Sequence, residues 1–385
     1  MFTADDIKYI GVQDRITDLF ESQYPLPDGV TYNSYVILDQ KVAVLDTVDE
    51  KFCGEWLQSL QRALGQRQPD YLIIHHMEPD HSAGIKAFAD KYPQAKIAAS
   101  ARAFAIMKGF FGTDFADRQL KLSEGDELQL GGHSLRFIAA PMVHWPEVMM
   151  SYDEQTGTLF SADAFGRFGV PTVNCDPIDE ARRYYIGIVG KYGAQVQAVL
   201  KKVSELPLTG ICPLHGPMLV GEGMRKMLGL YGTWSSYRPE QQGVTVAYAS
   251  IYGHTGAAAR KLAEMLAAHG VRTQIFDLAR CDMYQAVASA FRFDKLALAS
   301  STYNGDVLPA MRAYIQALTD RGFRDRTAAF IENGCWALTA ARVMRQMLQD
   351  CKDIRFAEPA VKLMSALDDG STEQLRQLAE QLKQQ

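Results

Sequence analysis

The chain has 385 residues, more than one ordinary hydrophobic core accommodates, so two domains are expected. Apolar residues make up 47% and charged residues 22%, as in a globular protein, and the net charge of −5 gives no electrostatic footprint for nucleic acid. No apolar run reaches the length of a membrane span, and Met1 to Asp6 lack the basic and apolar regions of a secretory signal.

In chain order, Val36 to Leu38 and Lys41 to Asp46 read as two strands joined through Asp39-Gln40 as a hairpin. Glu55 to Leu64 has helical spacing, with Trp56, Leu57, Leu60 and Leu64 on one side. A buried strand at Tyr71 to Ile74, a helix from Ala83 to Tyr92 and a strand at Lys96 to Ala99 follow. Further strands are expected at Leu135 to Ala139 and Met149 to Tyr152, giving two strand-rich halves with helices outside. The polar stretch Tyr231 to Gln242, with Pro239, reads as a linker, which sets the expected domains at 1–242 and 243–385. Beyond it, strands at Val244 to Ala249, Thr273 to Phe276, Lys295 to Ala299, Thr327 to Ile331 and Arg355 to Val361 alternate with helices. Those helices are expected at Thr255 to Ala268, Ala310 to Leu318, Leu338 to Leu348 and Thr372 to Leu382. That alternation predicts a doubly wound parallel sheet. Six cysteines (Cys53, Cys175, Cys212, Cys281, Cys335, Cys351) lie far apart with no CxxC pair. They argue for a reducing compartment, the cytoplasm, and against a thiolate metal site.

The densest chemistry is His76-Met77-Glu78-Pro79-Asp80-His81, where the Tyr71 to Ile74 strand ends. Ligand sites in α/β proteins gather at such strand ends, and four potential metal ligands fall here within six residues. The plain alternative is a solvated polar loop. Three further residues follow similar apolar runs: His144, Asp163 and His215. Each alone reads as well as a structural group; their shared placement points to a metal site. His75, His133, His254 and His269 have no comparable setting, although His75 adjoins the motif. The pattern H-x-E-x-D-H … H … D … H resembles the metallo-β-lactamase superfamily, which implies an αβ/βα sandwich with a two-metal site. Hydrolytic members usually carry histidine where this chain has Glu78. A hard anionic oxygen there favours iron over zinc.

In the second half, Ser250-Ile251-Tyr252-Gly253-His254-Thr255 lies between the first strand and the first helix. Hydroxyls and N–H groups at a helix start make a phosphate cradle, or simply a capped helix. Ser301-Thr302-Tyr303-Asn304-Gly305 follows the third strand, and Glu332-Asn333-Gly334-Cys335-Trp336 the fourth. Tyr303 and Trp336 are candidates to pack on a flavin ring or to be core aromatics. The S-x-Y-G-x-T pattern, the T-Y-N-G loop and the strand order resemble flavodoxin, which implies bound FMN.

Together the two halves resemble the flavodiiron (A-type flavoprotein) family over essentially the whole chain, including Phe160 to Gly166 and the H-W-P run at His144. The resemblance implies an oxidoreductase that reduces dioxygen to water, nitric oxide to nitrous oxide, or both, with the reading leaning to dioxygen. It implies one iron on His76, Glu78 and His144, another on Asp80, His81 and His215, and Asp163 bridging them. His81 is the ligand that varies among relatives. Tyr185 is implied to line the gas pocket, or is a core tyrosine. FMN is implied to sit on the loops containing Ser250, Ile251, Tyr252, Gly253, His254, Thr255; Ser301, Thr302, Tyr303, Asn304, Gly305; and Glu332, Asn333, Gly334, Trp336. The resemblance further implies a head-to-tail homodimer, with a dimer of dimers left open. No rubredoxin-like segment is found, so a separate donor is expected: rubredoxin, or a reduced flavin or deazaflavin system. The Ser300-Ser301-Thr302 run and the Asn333-Gly334-Cys335 loop depart from the commoner family sequences, which bears on flavin contact. Two other readings are a zinc hydrolase, which Glu78 argues against, and a flavin carrier or redox sensor on an inert scaffold. The seven candidate ligands argue against the latter.

Overall fold

The computed structural model describes residues 6–171 and 177–383; Met1 to Asp5 and Cys175 lie outside the described residues. Two compact units divide the chain, Met1–Gly232 and Thr233–Gln385.

In the first unit, strands Ile7–Tyr9, Tyr35–Leu38, Val42–Leu45, Tyr71–Ile73, Lys96–Ser100 and Gln119–Leu122 form one six-stranded sheet in that order. The expected hairpin is present, with Leu38 paired to Val42. Glu127–Gln129, Ser134–Ala139, Met149–Asp153, Thr158–Phe160, Gly210–Cys212 and Leu219–Val220 form a second sheet. Ile37, Leu45 and Ile73 of the first sheet share one buried cluster with Phe137, Met149 and Phe160 of the second. Each such side chain contributes about 1.5–3 kcal/mol by leaving water, so the facing sheets are the core and their strand ends are rigid platforms.

The helix expected from Ala83 to Tyr92 is present as Ile85–Lys91, and a separate short helix, Pro79–Ser82, precedes it. Gly84 explains the break. A Cβ there would lie 2.9 Å from Thr47 Cβ and 3.1 Å from the Trp56 ring, so only glycine admits this close approach. Thr47 in turn donates its N–H and its hydroxyl to the His81 carbonyl, each at 2.8 Å, which pins the short helix. Helices Ala101–Phe111 and Gly193–Val203 extend the unit beyond the elements expected from the sequence. The supposed linker from Tyr231 also begins inside a helix, Gly221–Ser235. Met224, Met227, Tyr231 and Trp234 are buried at helical spacing, while its polar residues hide the periodicity.

The second unit has strands in the order Thr273–Asp277, Gln241–Ala249, Phe293–Tyr303, Thr327–Asn333 and Arg355–Phe356, all parallel. The expected last strand is two short ones, since Val361–Leu363 pairs separately with Thr327–Asn333. Helix Met283–Arg292 supplies a crossover that the sequence reading did not separate out. Val244, Ala297 and Ile331 pack with Leu262 and Leu378 from the covering helices. Adjacent crossovers leave in opposite directions from the first strand, which opens a crevice between the first and third strand ends.

Candidate metal centre and cofactor cleft

Three of the candidate ligands in the first unit stand just past buried strands. His76 follows Tyr71–Ile73, Asp163 follows Thr158–Phe160 and His215 follows Gly210–Cys212. Pro79 opens the short helix Pro79–Ser82, which carries Asp80 and His81 inward. Two groups of donors result. His76, Glu78, His144 and Asp163 lie within 4.8 Å of one another, as do Asp80, His81 and His215. Asp163 faces both. Its Oδ2 is 2.9 Å from His144 Nε2 and 3.4 Å from His76 Nε2, and its Oδ1 is 3.3 Å from His81 Nε2 and 3.7 Å from His215 Nε2. All seven residues named from the sequence are therefore brought to one place.

The imidazoles do not satisfy one another. His76 and His144 point Nε2 at Nε2 across 3.2 Å, and His81 and His215 do so across 3.0 Å. Both Asp80 oxygens and Asp163 Oδ1 are buried without a hydrogen-bond partner among the described residues. Buried groups aimed at one another with too few protons between them are the donor arrangement of a cation site. The electrostatics agree. Burial pushes Asp80 up to about 7, and burial together with His81 pushes His215 down to about 3. Burial opposes charge on His144 as well, but hydrogen bonds to Asp163 and Glu78 outweigh it and raise the ring to about 9. Burial also works against ionised Asp163, yet the surrounding imidazoles hold it well below the usual carboxylate range.

Several supporting residues carried no sequence signal. Glu147 Oε1 lies 2.8 Å from His76 Nδ1 and accepts the Met77 N–H at 2.9 Å. His215 Nδ1 donates to the Thr31 carbonyl at 2.7 Å, and Asn33 Nδ2 donates to the carbonyls of Pro213 and Gly216, fixing that loop. His75, set aside in the sequence reading, is an internal brace: its Nδ1 is 2.5 Å from Asp46 Oδ2 and its Nε2 is 2.8 Å from Ser151 Oγ.

Tyr185 is wholly buried and packs edge-on against Tyr231 at 4.8 Å. Its neighbour Tyr184 borders the cluster, with its ring 5.3 Å from His215 and its hydroxyl buried without a partner among the described residues. Helix Pro177–Tyr184 passes into wider turns at Tyr185–Val189, and neighbouring residues of such a segment point about 100° apart. Burial first, then the charge of Asp163, keeps Tyr184 protonated far above its ordinary range.

In the second unit the three loops named from the sequence meet at one cleft. Ser250, Ile251, Tyr252, His254, Thr255, Ser301, Thr302, Asn304, Gly305, Asn333, Gly334 and Trp336 line it, joined by Cys335, Ala337 and Ser365. Gly253 sits at φ +92°, starts helix His254–Ala268, and donates its N–H to Ser250 Oγ. Thr255 Oγ1 and Ser301 Oγ are 2.8 Å apart across the crevice. Tyr303 and Glu332 do not line it. Glu332 is buried and accepts the Ala341 N–H at 3.0 Å, capping the next helix. Tyr303 and Trp336 are 46% and 87% exposed, so neither is a core aromatic, and Tyr252 beside the cleft is 90% exposed.

Comparison with known proteins finds a match for each of the two units. The ODP family of β-lactamase-like domains matches residues 30–216, and a flavodoxin domain matches residues 245–355. The chain therefore joins a β-lactamase-like domain to a flavodoxin domain. Its curated relatives are named flavorubredoxins, and its neighbours among solved structures include flavodiiron proteins. It is 28% identical over 346 residues to the anaerobic nitric oxide reductase flavorubredoxin of Vibrio vulnificus, covering 86% of this chain and 69% of that protein. The enzyme of the same name from Escherichia coli is 27% identical over 359 residues, 90% of this chain and 74% of its own. Among solved structures, the rubredoxin oxygen:oxidoreductase of Desulfovibrio gigas shares the fold at a TM-score of 0.91 and 23% identity, covering 99% and 97% of the two chains. The flavodiiron protein of Giardia intestinalis shares it at 0.88 and 24% identity, covering 99% and 95%.

Proposed function

We propose that this chain is a cytoplasmic oxidoreductase that takes electrons from a separate donor, holds FMN and two irons, and reduces dioxygen to water or nitric oxide to nitrous oxide. The observation that carries the reading is Asp163, one carboxylate whose two oxygens each face a different pair of imidazoles. The fit to iron rests on the partnerless buried oxygens of Asp80 and Asp163 and on the donor chemistry. A set of four imidazoles and three carboxylates, with Glu78 among them, suits iron better than zinc.

His76, Glu78 and His144 would hold one ion, and Asp80, His81 and His215 the other, with Asp163 shared. When bound, the irons and the flavin supply the redox chemistry that side chains lack. The chain's own part is positioning, charge and exclusion of water. Glu78, Asp80 and Asp163 bring three negative charges into a buried site and so offset cationic charge there. The rings of Phe20, Tyr32 and Trp145 stand 5.3 Å, 5.9 Å and 5.2 Å from His215, His215 and His76, forming an aromatic wall. Tyr184, neutral and without another partner, offers its O–H to a small diatomic at the centre. In the cleft, the N–H groups at the start of helix His254–Ala268 and the hydroxyls of Ser250, Thr255 and Ser301 would receive the FMN phosphate. Trp336 would cover its ring.

The names of the relatives support rubredoxin as the class of donor, with a reduced flavin or deazaflavin system as the other source. Among the described residues no helix is long and apolar enough to cross a membrane. A head-to-tail homodimer, in which one subunit's flavin cleft serves its partner's metal centre, belongs to the same reading. Metal and flavin analysis of anaerobically purified protein tests it. Two irons and one FMN per chain are expected; zinc in their place, or no metal, would overturn the reading.

A further inference from the structure

We infer that Glu147 makes the two metal positions unequal, so that the His76–Glu78–His144 position binds its ion more tightly and fills first. The inference rests on the two-iron reading above.

The coordinating groups themselves do not separate the positions. Each has two imidazoles and one carboxylate of its own, and each shares Asp163. The difference lies one layer out. His76 is wholly buried, with Nε2 turned to the cluster and Nδ1 held 2.8 Å from Glu147 Oε1. The same oxygen accepts the Met77 N–H at 2.9 Å, so Glu147 fixes both the ring and the turn that carries Glu78. A carboxylate on Nδ1–H selects the tautomer that leaves the Nε2 lone pair free, stops the ring rotating, and makes the imidazole a stronger donor. Glu147 is 2% exposed, and its other oxygen has no partner among the described residues, so its charge acts chiefly through His76.

The second position has no counterpart. His215 Nδ1 donates to a neutral acceptor, the Thr31 carbonyl. His81 Nδ1 is buried with no hydrogen-bond partner among the described residues. One ring there lacks an orienting group and the other is oriented without added charge. That position is therefore the weaker of the two.

The test is an anaerobic titration of the metal-free, FMN-loaded full chain with Fe(II) against a chromophoric chelator, repeated with Co(II) as an optical probe. Wild-type protein is expected to take two ions in two resolved steps. Glu147→Gln keeps the shape and the acceptor for Met77 but removes the charge. It should weaken the first step about 10-fold or more, within the range seen for such orienting groups, and leave the second nearly unmoved, so the steps merge. Glu147→Asp, which restores the charge, should separate them again. At one equivalent of Co(II), NMR of the wild type should show a strongly shifted, slowly exchanging Nδ1–H, and a merely structural Glu147 would not make that signal depend on charge. Equal steps in the wild type, a first step unmoved by Glu147→Gln, or equal weakening of both steps would overturn the inference. If the Gln variant does not fold, absence of the shifted proton from the wild type at one equivalent overturns it as well. A wild type that holds fewer than two ions overturns the two-iron reading along with it.

Discussion

Replacing Tyr184 by phenylalanine separates a tyrosine that braces the fold from one that serves the centre. The side chain is fully buried, its ring packs 5.1 Å from Phe168 and 5.3 Å from His215, and its hydroxyl has no partner among the described residues. Phenylalanine keeps every ring contact and removes only the oxygen. A buried hydroxyl without a partner carries a desolvation penalty of about 1–3 kcal/mol, so metal-free Tyr184→Phe should be as stable as the wild type or up to about 1 kcal/mol more stable. Tyr24 is the contrast. Its hydroxyl donates to the Gly187 carbonyl at 2.9 Å, so Tyr24→Phe should lose about 0.5–1.5 kcal/mol. During turnover the Tyr184 O–H is expected to donate to the gas, and losing about 1–2 kcal/mol of that stabilisation lowers the rate about tenfold. Urea unfolding of metal-free protein and anaerobic stopped-flow of loaded protein supply the two numbers. A loss of more than about 1 kcal/mol in stability, or an unchanged rate, would refute the assignment.

Glu78→His replaces the anionic oxygen with a neutral nitrogen. Protein expressed with both metals present should then shift its iron-to-zinc ratio toward zinc by about tenfold or more, read by elemental analysis. Gly253→Ala places a Cβ at φ +92°, a strain of about 1–2 kcal/mol at the start of the flavin-cleft helix; fluorescence titration should show weaker FMN binding, with iron content unchanged. His133 is raised to about 9, first by its bond to Asp153, with burial opposing and Asp6 assisting. A raised histidine stabilises the fold fully below its unfolded value of about 6.5 and loses that contribution as pH climbs through about 9. Since Asp6 is 42% exposed, the loss is discounted to about 1–2 kcal/mol across that window. Urea midpoints at either end of it measure the loss, and His133→Gln should flatten the slope.

The candidate metal ligands are legible in the sequence because strands buried on both faces read as unbroken apolar runs. The polar residues within a few positions of a run's end therefore stand out. His76 two residues after Tyr71 to Ile74, and Asp163 three after Leu159-Phe160, show this, as do the loops after the strands of the second unit. What is not legible depends on side-chain direction or on partners distant in the chain. Tyr184 and Tyr185 differ only by a rotation about a helix that widens between them. Glu147 meets Met77 from seventy positions away. Glu332 looks like a cleft residue because an acid after a strand reads the same whether it meets a ligand or caps the neighbouring helix. Gly84 stands between two helices for a reason that lies in Thr47 and Trp56, which no local pattern reveals.

That the gas takes its electrons at the Asp163-centred pair of ions is tested most directly by anaerobic stopped-flow. Flavin-reduced protein is mixed with dioxygen or nitric oxide, once with two irons per chain and once metal-free. The expected result is that at least one gas reoxidises the flavin at least tenfold faster in the iron-loaded protein. Equal rates with and without iron for both gases, or no oxidation by either, would contradict the claim.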